Sequence, residues 1–487
     1  MSMQNKSNTK IVTIAIFLTT FMTAIEGTIV STAMPTIVSD LNGLEIMNWV
    51  VSIFLLMTAV STPIYGKLAD SIGRKPVFLF GIAVFVVGSA LCGIAQNMVE
   101  LILFRVIQGL GSGAVQPVAV TIIADLYTLE KRAKMLGLNS GFWGVASVIA
   151  PLLGGFIVQH LSWHWIFYIN VPLGIIAFLL VIFFLKEKKT SSNSTLDLKG
   201  TTCLVIFLLA LMIFLQELED GLNLVLLGLV AIIIISAIIF FKTEKRAKDP
   251  IMPLDMLSSK EFTMINLITL LISGVVIGFE FYIPTWMQGI NATSASVAGF
   301  AVTPSSLMWI VGSFLIGGML GRWGIKKTYD YMLLILIIAD LALILVPIYT
   351  SFWVFCLIAA FNGTAFGAIT TASQVRSQVL VGRDKIGVAT SFNTLMKYLG
   401  QTMMVSIYGI TFNMVVAKHL AHYPNLTQKM MNDIVSADKA KHLAANLIPG
   451  LRQVLLSGLK SVYVVSLIVI VLSLILNQLY RQKKIAK

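Results

Sequence analysis

The chain has 487 residues, 57% of them hydrophobic and 12% charged, against roughly 25% charged in an ordinary soluble domain. A water-soluble fold of this length would leave large apolar patches exposed, so the composition excludes a soluble enzyme or binding module. The net charge of +13 comes in short basic clusters between long apolar runs. That pattern belongs to a protein lying among anionic lipid headgroups and not to a nucleic-acid-binding face.

Taken in chain order, the apolar runs predict helices able to cross a bilayer, which takes about 20 residues each. They lie near 11–34, 47–65, 77–96, 99–124, 135–158, 164–185, 200–216, 222–241, 263–288, 296–319, 329–349, 352–373, 386–414 and 459–480. Lys6 and Lys10 precede the first run, as in a signal peptide, but the run is too long for a signal core and lacks a small-residue cleavage site. It is predicted to be a retained span. The run at 200–216 is the weakest, short and flanked by Lys199 and Glu217. Fourteen spans result if it crosses, and twelve if it and its neighbour only dip. Either count is even, which predicts both ends of the chain on one side.

Basic residues fix which side. With residue 1 in the cytoplasm, 27 of the 35 fall in cytoplasmic segments. Six (Lys418, Lys429, Lys439, Lys441, Arg452, Lys460) fall in one long outer loop, and Arg105 and Lys397 lie inside spans. The expectation is a multi-pass plasma-membrane protein with cytoplasmic ends, lipid as its neighbour and no oligomer required. Cys92, Cys203 and Cys356 lie in apolar runs at spacings that fit neither a metal site nor a disulfide framework and are read as helix-packing residues. His419 and His422 have no third ligand, so no metal is expected. The outer loop 416–458 is predicted to be solvated and partly helical, with no function evident.

An internal repeat is visible. After the second span comes GKLADSIGRK over 66–75, and after the tenth comes GGMLGRWGIKK over 317–327. In both, two glycines stand seven apart and basic residues follow; the second copy lacks the acid. The predicted organisation is an all-α polytopic protein with a six-helix bundle in 1–189, linkers and two extra helices in 190–258, and a second six-helix bundle in 259–487. Duplicated halves rocking about a central site are a common route to alternating access.

The 66–75 run closely resembles the signature loop between the second and third helices of the major facilitator superfamily. Leu103 to Gly109 (LFRVIQG) resembles its fourth-helix motif, and Ala146 to Gly155 (ASVIAPLLGG) its fifth-helix antiporter motif, with two alanines in place of glycines. Glu26 to Pro35 is similar to the acid-led first-helix motif of the fourteen-span drug:proton antiporters, with Glu for the usual Asp. Trp163 to Pro172 resembles that subfamily's outer fifth-to-sixth loop, with His164 where Arg is common. The resemblance implies two bundles, antiport, a proton gradient as energy source without cofactor, and a gating role for Gly66, Asp70, Gly73, Arg74 and Lys75. On physical grounds, Gly66 and Gly73 are expected to permit close helix approach and a tight turn. Asp70, Arg74 and Lys75 are expected to latch helix ends through charge pairs. Pro151, with Gly154 and Gly155, makes a bendable, close-packed helix; a kink with no bearing on transport direction is the alternative.

Glu26, Arg105, Glu280, Asp340 and Lys397 each interrupt an apolar span. A charge at the membrane centre costs at least ~2.5 kcal/mol on insertion scales, so such residues face a cavity or a partner. At 1.5 Å of rise per residue, Glu26, Arg105 and Glu280 fall in one layer, roughly 9–14 Å from the outer surface. Gln108 shares the face of Arg105. Access to water shifts a carboxyl between its charged and neutral forms. Glu26 and Glu280 are therefore expected to hold a proton or a cationic substrate in turn, with Arg105 tuning them and Asp340 as a further coupling candidate. The alternative for each acid is a static ion pair, Glu26 with Arg105 being the obvious couple. Trp143, Tyr282, Trp286, Phe300 and Trp309, together with Gln108 and Lys397, are expected to wall a cavity for lipophilic or cationic guests, although Trp and Tyr also gather at membrane interfaces. Export of lipophilic cations by proton exchange leads. A transporter of one metabolite or an anionic or zwitterionic solute is the alternative, and a membrane enzyme or receptor the remote one, since no nucleophile–base pair or metal cluster is evident. The excess of lysine over arginine points to a bacterium.

Overall fold

Lipid offers a peptide group no hydrogen-bond partner, so apolar runs of this length satisfy their own backbone as helices. The computed structural model describes residues 8–127, 129–187, 198–217, 224–246, 256–348, 350–381 and 386–479, without the side chains of some helix residues, Asp70 among them. The first part comprises α1 (Thr9–Leu41), α2 (Met47–Ile72), α3 (Arg74–Cys92), α4 (Met98–Leu126), α5 (Leu129–His160), α6 (Trp165–Tyr168) and α7 (Asn170–Phe184). Then come α8 (Leu198–Glu217) and α9 (Leu224–Glu244). The last part comprises α10 (Lys260–Gly289), α11 (Ala295–Leu345), α12 (Phe352–Val379), α13 (Ile386–Leu420), α14 (Gln428–Ile434), α15 (Ala437–Ala440) and α16 (Ile448–Leu479).

Thirteen spans among the described residues are long and apolar enough to cross a membrane. α6 and α7 together make one, and α11 supplies two arms that meet at Gly324, where φ is +71°. The run that reads weakest in the sequence, α8, is not among these thirteen. α16 begins at Ile448, well before the expected 459, because its first turns bury Leu451, Val454 and Leu455 against protein.

Packing divides the spans into two groups. α1 lies on α5 and α7, α2 on α4, and α3 on α4 and α7; later, α10 lies on α13 and α16, α11 on α12 and α16, and α13 on α16. α5 with α11, α2 with α13 and α1 with α10 form the seam between the groups, and α8 rests on both α2 and α13. The repeat has a structural counterpart. Gly73 and Gly324 both adopt positive φ, +104° and +71°. Two residues later, Lys75 Nζ donates to Ile182 O of α7 at 2.8 Å, and Lys326 Nζ to Gln478 O of α16 at 3.1 Å.

The seam is tightest on the far face, opposite the face where α1 begins. A Cβ on Gly299 would lie 2.2 Å from Pro151 O and one on Gly155 2.6 Å from Ala295 O; beneath them, within the first group, one on Gly154 would lie 2.8 Å from Ile29 of α1. Asn432 of α14 accepts from Leu44 N at 3.0 Å, and Lys439 of α15 reaches Ser39 O at 2.5 Å and Asp40 Oδ1 at 3.0 Å. The 416–458 loop, for which the sequence suggests no role, therefore straps the second group to the first. Asp40 also accepts from Trp163 Nε1 at 3.0 Å. Burial holds the neighbouring His164 imidazole below its ordinary value, with Asp40 acting in the opposite sense.

On the near face, Gly66, Gly318 and Gly321 have no atom of the described residues within 4 Å of a notional Cβ. The close helix approach expected at Gly66 is thus not made. The reason is that the cross-seam contact of α2 lies nearer the far face, where a Cβ on Gly409 would meet Asn48 Nδ2 at 2.5 Å.

Candidate functional site

The most densely paired polar cluster lies inside the first group and draws on five of its helices. Glu26 (α1), Arg105 and Gln108 (α4), Ser89 (α3) and Asn170 (α7) are buried to within 2%. Arg105 Nη1 donates to Glu26 Oε1 and, at 2.8 Å, to Gln108 Oε1; its Nε donates to Val50 O of α2 at 3.0 Å. Asn170 Nδ2 donates to Glu26 Oε2 at 2.6 Å. Ser89 Oγ accepts from Asn170 at 3.0 Å and from Gln108 Nε2 at 3.1 Å, and donates to Phe167 O at 2.9 Å. The guanidinium also stands 4.1 Å from the Phe54 ring centroid. An ion pair taken out of water holds only when its remaining donors and acceptors are met. Here Arg105 is shared among three helices, so the pair fastens them and holds one carboxylate inside an apolar bundle. Glu26 has no exposed surface in this conformation.

Glu280 does not join that cluster, although it falls in the same predicted layer. It stands on the α10 side of the seam within electrostatic reach of Lys397 on α13. Rise along a helix fixes depth, but azimuth depends on which helix packs where. Lys397 Nζ lies 5.2 Å from the Trp143 ring of α5, across the seam. Beside it, Tyr398 OH donates to Gln116 Oε1 of α4 at 3.0 Å. Glu280, Lys397 and Trp143 are partly exposed within their spans, so charge and aromatic surface come together at this part of the seam.

The other expected wall residues scatter. Tyr282 is buried in the seam and donates to Asn48 Oδ1 of α2 at 2.8 Å. Trp286 packs on Phe355 and Tyr463 inside the second group. Trp309 packs toward Phe366, with centroids 6.2 Å apart. Phe300 is 53% exposed and forms no wall; its neighbour Gly299 is the residue pressed against α5. Asp340 is buried far from the Glu26 cluster, among Tyr408 and Tyr463.

At the near face, Gly73 makes the tight turn expected of it, and the following amides close on a carboxylate that sequence reasoning missed. Arg74 N and Lys75 N each donate to Glu187 at 2.8 Å, so Glu187 accepts at the positive start of α3. Arg74 also pairs with Asp125 of α4 at 2.5 Å. The expected latch of charge pairs therefore ties α3 to α4 and to the segment after α7; the Asp70 side chain lies outside the described residues. Gly73→Ala should destabilise by about 1–3 kcal/mol, because it forces a Cβ into a left-handed conformation, with Glu187 Oε2 only 2.9 Å away. Thermal unfolding in detergent checks this, and Gly66→Ala, in open space, should be near neutral.

Asn170, Ser89, Gln116 and Glu187 were missed as partners. For the first three the usable signal was polar residues recurring inside apolar runs, which marks positions needing a hydrogen bond; Glu187 sits in a charged stretch after α7, where no such signal exists.

A profile of the Major Facilitator Superfamily matches residues 16–405. Multidrug transporter protein MdtP of Bacillus subtilis (strain 168) is 33% identical over 482 residues, covering 92% of this chain and 89% of that protein. Multidrug resistance protein 3 of the same organism is 37% identical over 415 residues, 83% and 80% of the two chains. Multidrug efflux pump SdrM of Staphylococcus aureus (strain N315) is 32% identical, covering 82% and 89%. A bacterial homologue of the human lysosomal transporter Spinster, solved in an inward-facing, unoccupied conformation, matches with a TM-score of 0.69 at 17% identity, over 96% of each chain. With its repeated glycine turns, its two packed groups of helices and this match over most of its length, the chain belongs to the Major Facilitator Superfamily.

Proposed function

We propose that the chain exports lipophilic, mainly cationic compounds in exchange for protons, as a monomer in the plasma membrane with both ends cytoplasmic. The observation that carries this is the unequal placement of two intramembrane acids. Glu26 is sealed and fully paired, whereas Glu280 lies at the seam beside Lys397 and the Trp143 ring. A cation arriving at Glu280 competes with Lys397. A proton arriving at Glu26 releases Arg105, which is also bonded to α2, and so alters the packing of the first group. The names of the bacterial relatives support a multidrug role. Lys397 is the one feature favouring a second reading, an anionic or zwitterionic guest.

Everted membrane vesicles test the proposal. Added ethidium should collapse a preformed pH gradient in vesicles carrying the wild-type chain, and Glu280→Gln should abolish the collapse at equal protein level. Collapse that is unchanged in the variant, or absent with any lipophilic cation, sinks it.

A further inference from the structure

The near-perfect pairing around Glu26 has an unpaired counterpart in the second group. Asp340 stands sixteen residues after Gly324, as Ser89 stands sixteen after Gly73. Ser466 lies twelve before Gln478, the carbonyl that receives Lys326, as Asn170 lies twelve before Ile182, the carbonyl that receives Lys75. The repeat thus carries the polar level of the first group onto Asp340 and Ser466. Asn362 joins them by register. Tyr329 OH and Ser373 Oγ meet at 2.6 Å between the antiparallel second arm of α11 and α12. Asp340 is eleven residues beyond Tyr329 and Asn362 eleven before Ser373, about three turns in each helix, so the two return to the same face at the same level.

In this second cluster the polar atoms are orphaned. Asp340 Oδ2, both side-chain polar atoms of Asn362, Tyr463 OH and Trp286 Nε1 are buried without a hydrogen-bond partner, and their residues are at most 2% exposed. Tyr463 and Trp286 rings stand 6.0 Å apart, and Asp340 acts electrostatically on both Tyr463 and Tyr408. Tyr408 bonds Ser466 at 2.7 Å. The titratable groups facing Asp340 are these tyrosines of α13 and α16, with Tyr282 of α10 next to them; among the described residues no cation acts on it. Buried donors and acceptors in native proteins are satisfied by protein or by water, and a lone carboxylate in a membrane needs a countercharge.

We propose that Asp340, Asn362 and Tyr463 form a second protonation site, holding a proton on the carboxyl with internal water bridging the amide, the phenol and the Trp286 N–H. It rests on the proton-coupled reading above and adds to it one proton carried by each group of helices. No covalent step is involved: water delivers a proton to Asp340 and later removes it.

Infrared difference spectroscopy on the purified protein in liposomes tests this without a substrate. The wild type should show a protonated-carboxyl C=O band that shifts in D2O and fades as pH rises; Asp340→Asn should remove it, and Glu26→Gln should leave it. Tyr463→Phe, which keeps the ring and its packing, should shift the band and its pH midpoint. An unchanged band in Asp340→Asn, or one that never exchanges with D2O, overturns the proposal. Failure of proton coupling in general would appear separately, as loss of gradient collapse by ethidium in wild-type vesicles while the Asp340 band persists.

Discussion

Arg105→Met should cost about 3–5 kcal/mol of stability, because removing one partner of a buried ion pair leaves the other charge unpaired. Two further acceptors, Gln108 Oε1 and Val50 O, lose their Arg105 donor as well. Glu26→Gln should destabilise less, since Arg105 keeps two neutral acceptors. The informative variant is the double one. Glu26→Gln with Arg105→Met replaces both charges and should regain most of the lost stability, as apolar substitutes for buried ion pairs commonly do. It should still fail to exchange protons for ethidium. A double variant that is stable and exchanges normally would show the pair to be a fastener alone; one no more stable than Arg105→Met would show that the hydrogen-bond network, and not charge balance, holds the bundle.

Gly299→Leu should abolish export. The first carbon of any side chain there would lie 2.2 Å from Pro151 O, so α5 and α11 must separate. Overpacking of this kind costs about 1–3 kcal/mol, which a large membrane protein survives. The functional effect is larger, because Gly155, Gly154 and the Lys439–Asp40 contact share the same closed far face. A cysteine at Ser296, whose backbone a Cβ on Gly155 would touch at 2.6 Å, should become reactive to an impermeant maleimide in the Gly299→Leu background. Gly318→Leu, placed where no atom of the described residues lies within 4 Å, should leave both export and labelling unchanged. Normal export from Gly299→Leu would mean that this face need not close.

The helices were legible because lipid permits little else along an apolar run, and the glycine turns at 73 and 324 were legible as a repeated spacing. The Glu26–Arg105 couple could be read from depth alone. What sequence could not supply was azimuth. Glu280 and Glu26 share a predicted layer yet belong to different clusters, Phe300 turned outward while Gly299 took the contact, and Gly66 met open space. Asn170 was visible only as part of a loop motif; that it bonds Glu26 follows from how α7 lies on α1. The strap from Lys439 to Asp40 joins residues 399 positions apart, a pairing that no local pattern announces.

One arrangement constrains how such a molecule moves. α8 touches α2 on one side of the seam and α13 on the other, and its Leu208 and Leu211 line a crevice with Leu56 and Leu399. If the two groups pivot, this helix cannot stay bound to both, so one of its flanks has to slide with each turnover. The same helix covers the α2–α13 side of the seam, so an amphiphile arriving through the leaflet on that flank meets α8 first.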